Sequence, residues 1–208
     1  MKLTSSSWEE GARIPSRFAA GRRDGAGVTF SDNLNPQLSW SEVPPETQSF
    51  ALICHDPDVP SQGDDVNQPD REVPATLPRV DFYHWVLVDL PESVQSLAEG
   101  EFSRGFTPRG KPGPAAPQGA RQGLNDYVGW FASNRDMAGD YYGYDGPFPP
   151  FNDAIVHRYV FTLYALDVER LAVDGAFTAP QARAAMQGHI LAEASFSGVY
   201  TLNPRLGA

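Results

Sequence analysis

Asp56, His84, His157 and Tyr159 are the side chains whose types and settings could do chemistry together, each lying within or beside an apolar run. Imidazole N–H groups and a phenolic O–H donate hydrogen bonds, which suits a small oxyanion such as phosphate, sulfate or carboxylate. A carboxylate beside an imidazole favours imidazolium and fixes its tautomer. Asp56, His84 and His157 also match, by residue type, a two-histidine, one-carboxylate metal face. Spacing alone leaves open whether the four converge or whether one histidine is a satisfied core residue. Signatures of other chemistries are missing from the sequence. There is no Gly-x-Ser-x-Gly elbow, no P-loop, no His-Glu-x-x-His and no cysteine pair for zinc.

Three apolar runs must position these groups. Ser49–His55 reads as a buried strand that ends at Asp56-Pro57, because proline cannot continue a central ladder. A period of two puts Phe50, Leu52, Cys54 and Asp56 on one face and turns His55 away. Phe82–Leu90 is a second strand, stopped by Pro91, with His84 sharing a face with Phe82, Val86 and Val88. Ala154–Leu166 is a third, rich in β-branched and aromatic residues, with His157 and Tyr159 on one face and Arg158 on the other. Thr178-Ala179-Pro180-Gln181 fits a capping box opening a helix. Ala182, Ala185, Met186, His189 and Ile190 then share one side of it. Phe196–Leu202 closes the pattern as a short strand. Residues 61–81 and 100–150 read as long loops, and loops of that length are usually functional.

Several other groups invite a structural reading. Asp58, in a proline-flanked turn, is expected to bond nearby backbone N–H groups. Arg158 is expected to pair with a carboxylate or cover an apolar edge, His189 to pack, and Cys54 to act as a small core hydrophobe. Arg104, Arg109, Lys111 and Arg121 lie in a stretch without acidic residues and read as a solvated loop carrying local positive charge.

Composition bounds the classes. The chain has 208 residues, enough for one domain with a sizeable core. Nineteen glycines and nineteen prolines favour a turn-rich β fold over a helical bundle. A formal charge of −10 repels phosphate backbones at long range, so nucleic-acid binding is not expected. No apolar run approaches the ~20 residues that span a bilayer. The opening Met1–Glu10 carries no readable secretory signal, and Cys54 is the lone cysteine. A cytoplasmic location is the expectation.

Three motifs in order carry a resemblance: Asp56-Pro57-Asp58-Val59-Pro60, His84-Trp85-Val86-Leu87-Val88-Asp89-Leu90-Pro91, and His157-Arg158-Tyr159 running on to Leu166. With Met1–Ser5, Ser31–Trp40 and Tyr144–Pro147, they resemble the phosphatidylethanolamine-binding protein family, also called the Raf kinase inhibitor protein family. The nearer likeness is to its bacterial YbhB/YbcL-like branch. The resemblance implies one mainly β (α+β) domain over 1–208. In it a large antiparallel sheet packs on a smaller one, with a C-terminal helix and long loops. It also implies a small-anion pocket of Asp56, His84, His157 and Tyr159, walled by Pro60 and by the paired prolines Pro149 and Pro150. No cofactor or metal is implied, and the ligand is phosphate or a phosphorylated headgroup. Binding is expected to weaken as pH rises through the histidine pKa values. A protein inhibitor or regulator of a kinase or protease, acting through the loops, is the alternative. A hydrolase using the same cluster comes third, because no activated nucleophile is recognisable. A homodimer is the expected assembly. Three departures stand out: the Phe151–Val156 link is longer than usual and lacks glycine, residues 61–81 are also longer, and Asp89 stands where asparagine is common.

Overall fold

A computed structural model describes residues 1–25 and 27–206. Its strands are β1 (Lys2–Thr4), β2 (Gly21–Asp24), β3 (Gly27–Phe30), β4 (Leu38–Ser41), β5 (Ser49–Pro60) and β6 (Arg79–Pro91). They continue with β7 (Ser96–Leu97), β8 (Gly110–Lys111), β9 (Arg121–Gln122), β10 (Asp140–Tyr141), β11 (His157–Leu166) and β12 (Ile190–Tyr200). Two helices, α1 (Tyr127–Trp130) and α2 (Ala179–Met186), complete the set. The large sheet has the order β12-β11-β5-β6-β9, with every pairing antiparallel. A smaller sheet, β1-β4-β7, packs against it.

Both faces of the large sheet are covered, which is why its strands read as near-continuous apolar runs. Phe50, Leu52, Cys54, Trp85, Leu87, Phe161 and Leu163 face the small sheet's Leu3, Leu38, Trp40 and Leu97. On the other side Ala51, Ile53, Val86, Val88 and Tyr164 meet Ala179, Ala182 and Met186 of α2. Thr178 caps that helix together with Gln181.

The structure corrects four expectations. First, β5 does not stop at Asp56 but runs to Pro60. β11 leaves it after the Val160–His55 pair, so beyond that point β5 has only β6 beside it. Pro57 falls between the Asp56–Phe82 and Val59–Val80 pairs, in a bulge where its missing N–H breaks no ladder bond. Second, His84 does not share a face with Val86 and Val88. Cys54 pairs with Trp85 and His55 with Tyr83, which leaves His84 as an extra residue in β6. The bulge turns it onto the Tyr159 side, while Val86 and Val88 stay under α2. Third, the third strand begins at His157, because the Ala154 N–H is taken by Val73 O and the Ile155 N–H by the Asp153 carboxylate. Fourth, the helix ends at Met186. His189 lies outside it, half exposed and bonded to Asp167, and Ile190 already opens β12, which ends at Tyr200.

The positive patch is drawn inward only in part, since Arg104 and Arg109 stay exposed. Arg121 is buried against Asp89 and the Leu171 and Val173 carbonyls, and Lys111 lies against buried Asp145. Asp89 is thus neutralised rather than an acidic strand end. Arg158 does pair with a carboxylate: Asp58 accepts from its side chain and from its backbone N–H.

Candidate functional site

The start of β11, the end of β5 and the start of β6 meet at one end of the large sheet. They bring Asp56, His84, His157 and Tyr159 to a cavity of about 380 Å³, with Pro60 and Pro150 in its walls. All six candidate residues therefore line one space. Phe82, Tyr127, Phe131 and Trp130 form one side, and Phe30, Phe148 and Pro149 another. Rings pack in series from the floor outward: His84 on Tyr159 at 5.1 Å, His84 on Tyr127 at 5.7 Å, and Tyr127 on Phe131 at 5.7 Å between centroids.

The two histidines are in opposite states. Nδ1 of His157 lies 2.7 Å from Asp56 Oδ2, and Nε2 lies 3.1 Å from Asp153 Oδ2. Both nitrogens meet carboxylates, so both carry protons. Burial opposes the charge, but the bonds to Asp153 and Asp56 prevail and raise the pKa to about 9. Asp153 also takes a two-pronged bond from Arg79, at 2.6 and 3.0 Å. Burial would raise the Asp153 pKa, but His157 and Arg79 hold it below the usual value. His157 therefore has no N–H left for a ligand and no lone pair for a metal. Its work is to fix Asp56, whose other oxygen accepts the Asp58 backbone N–H at 2.8 Å.

His84 is different. Its Nδ1 lies 2.7 Å from the Asp145 carbonyl, which can only accept, so Nδ1 carries the proton. Nε2 makes no hydrogen bond to another described residue. Burial lowers the pKa to about 4, against the pull of Asp56 and the Asp145 carbonyl. At neutral pH the ring is uncharged and Nε2 offers a lone pair. Burial, with Asp56 alongside, raises the Tyr159 phenol well above its ordinary value, so it stays protonated.

The Asp145 carbonyl is itself anchored. The Asp145 carboxylate, fully buried, accepts from Asn33 at 2.7 Å, Asn125 at 2.8 Å and Lys111 at 3.0 Å. Its backbone N–H donates to His84 O at 3.1 Å, the carbonyl freed by the bulge. Burial raises the Asp145 pKa, and those three donors counter it.

Sequence reasoning missed Asp153, Arg79, the anchoring role of Asp145 and the aromatic walls. Asp153 precedes His157 by four residues in an irregular segment, where no periodicity links the two. The ring-rich Tyr127–Phe131 segment was the one visible sign of an apolar wall.

These features define a mainly β protein with a polar-floored, aromatic-walled cavity at one end of its large sheet. Residues 4–201 match the family described as phosphatidylethanolamine-binding protein. The chain belongs to that family. It is 31% identical over 201 residues to the UPF0098 protein YbhB of Escherichia coli, covering 97% of this chain and 100% of that one. Among solved structures, the phosphatidylethanolamine-binding protein homolog CT736 of Chlamydia trachomatis is 31% identical with a TM-score of 0.64, covering 96% and 95% of the two chains. Escherichia coli YbcL, titled a new member of the mammalian family, is 26% identical with a TM-score of 0.68, covering 96% and 97%.

Proposed function

We propose that this chain is a binding protein whose cavity takes the phosphate group of a small phosphate ester. The observation that carries the reading is the unpartnered Nε2 of His84 beside Tyr159 and Asp56 in one cavity. A phosphate dianion would meet a lone pair and a carboxylate there, which is unfavourable. A monoanion brings the proton that Nε2 needs, and its second pKa lies near 6. The proton sits between phosphate oxygen and imidazole, and Tyr159 donates a second bond. Asp56, held by His157, accepts from a hydroxyl or ammonium elsewhere on the ligand. Pro60, Pro150 and the aromatic walls cover the organic part.

Asp56, the carboxylate of the lining, has both oxygens bonded, to His157 and to the Asp58 N–H, which makes it a poor nucleophile and favours binding over turnover. Titration calorimetry with methyl phosphate at pH 5.5 and 8 tests it. Affinity should fall at least tenfold at the higher pH, and His84→Ala should weaken binding at pH 5.5, where the monoanion's proton has lost its acceptor. Equal affinity at both pH values overturns the reading.

A further inference from the structure

The two segments that depart in length from the family pattern meet each other. Residues 61–78, between β5 and β6, contain no helix or strand. Gly63, Val66 and Asn67 of this segment line the cavity, and the Phe151–Val156 link follows Pro149 and Pro150 on the same cavity. Asn152, 5% exposed, reaches into the segment. Its Nδ2 donates to the carbonyls of Asp65 at 2.7 Å, Gln68 at 3.1 Å and Arg71 at 3.2 Å, and its Oδ1 accepts the Asn67 N–H at 2.9 Å. In return Asn67 Oδ1 accepts the Phe151 N–H at 3.1 Å. Val73 closes the join, donating its N–H to Asn152 O at 3.1 Å and accepting the Ala154 N–H at 3.0 Å.

Few other polar contacts hold this segment. Among the described residues, those from 62–77 to the rest of the chain go to 151–154, to Arg79 through the Pro74 carbonyl, and to Arg205 through Glu72. The segment therefore has one main polar anchor, a buried asparagine whose side-chain contacts cannot be replaced by water without exposing the site. Asp153, next to that anchor, also holds His157, so wall and floor are tied at adjacent residues.

We propose that residues 61–78 are a size-selecting wall, latched by Asn152 and Asn67, that restricts the cavity to compact ligands. Asn152 is thereby a specificity-determining residue that touches no ligand. This rests on the phosphate reading above for the ligand's chemistry, but the wall itself does not depend on phosphate.

The test compares wild type, Asn152→Ala and Asn67→Ala, using methyl phosphate and naphthol AS-BI phosphate, whose three-ring body is too large to pack within about 380 Å³, in calorimetry and trypsin cleavage after exposed Arg71 as a readout of release. Wild type should favour the methyl ester at least tenfold. Both variants should be cut faster, and the preference should shrink at least fivefold, more in Asn152→Ala. Faster cutting with an unchanged preference overturns the proposal, as does a wild type that binds both esters equally. If neither ester binds any of the three proteins, the phosphate reading has failed. Uncharged naphthol AS-BI then judges the wall: entry into the variants but not the wild type sustains it, and any other pattern overturns it. If Asn152→Ala does not fold, Asn67→Ala, which loses the single bond from the Phe151 N–H to Asn67 Oδ1, carries the comparison.

Discussion

Stability should decline on the alkaline side because of His157. Its imidazolium is clamped between Asp56 and Asp153, and its pKa lies at about 9 rather than 6.5. The folded state keeps a proton that the unfolded chain releases between those values. The stabilisation is complete below pH 6.5 and is lost as pH rises through 9. At roughly 1.4 kcal/mol per pH unit, the loss amounts to about 3 kcal/mol. His84 works in the opposite sense. With its pKa lowered to about 4, the fold refuses a proton that the unfolded chain accepts below pH 6.5. Its contribution is complete above pH 6.5 and disappears as pH falls through 4, again by about 3 kcal/mol. Together the two limbs place maximum stability near pH 6.5. Either limb is a large part of the ~5–15 kcal/mol that a domain of this kind has in total. Urea unfolding followed by tryptophan fluorescence between pH 4 and 10 measures both. In His157→Gln the protein should be weaker below about pH 9, since Asp56 and Asp153 lose their shared cation, and its alkaline decline should flatten so that the two curves converge above that pH. A wild-type curve that is level from pH 6.5 to 9.5, or a variant that keeps the whole decline, refutes the argument.

Two further predictions concern the support behind the cavity. Lys111→Met leaves the buried Asp145 carboxylate without its cation and should cost about 3–5 kcal/mol, read as a lower urea midpoint. If the variant folds, the resonances of the His84 ring should shift, because its Nδ1 bonds the Asp145 carbonyl; an unmoved ring argues against that anchoring. Gly146→Ala should fold poorly or not at all, since its Cβ would lie 2.1 Å from Phe18 O; a variant as stable as wild type would show that this contact yields.

The apolar runs at Ser49, Phe82 and His157 were legible because a strand buried on both faces needs almost unbroken hydrophobicity, and each became a central strand. The capping box at Thr178 was legible because it is a local motif, complete within four residues. What local reading got wrong has a common cause. It kept strict alternation through His84 and stopped β5 at Pro57, and in both places a bulge intervenes. A bulge is a property of two paired strands, and neither strand shows it alone. The helix was carried to Ile190 because periodicity continued past the point where β12 begins pairing with β11.

The sequence by itself determined the β class and the family likeness, and through that likeness it pointed to six of the residues that line the cavity, because these depend on residue types and order along the chain. Only the tertiary structure decided what each does. It committed both nitrogens of His157 to carboxylates, one of them on the unsuspected Asp153. Among the described residues it left Nε2 of His84 as an imidazole nitrogen of the cavity without a hydrogen-bond partner, and it docked the 61–78 segment on the Phe151–Val156 link through Asn152. The physical reason is that protonation and hydrogen-bond supply depend on which groups lie within about 3 Å. Those neighbours come from stretches of chain 4 to 101 residues apart.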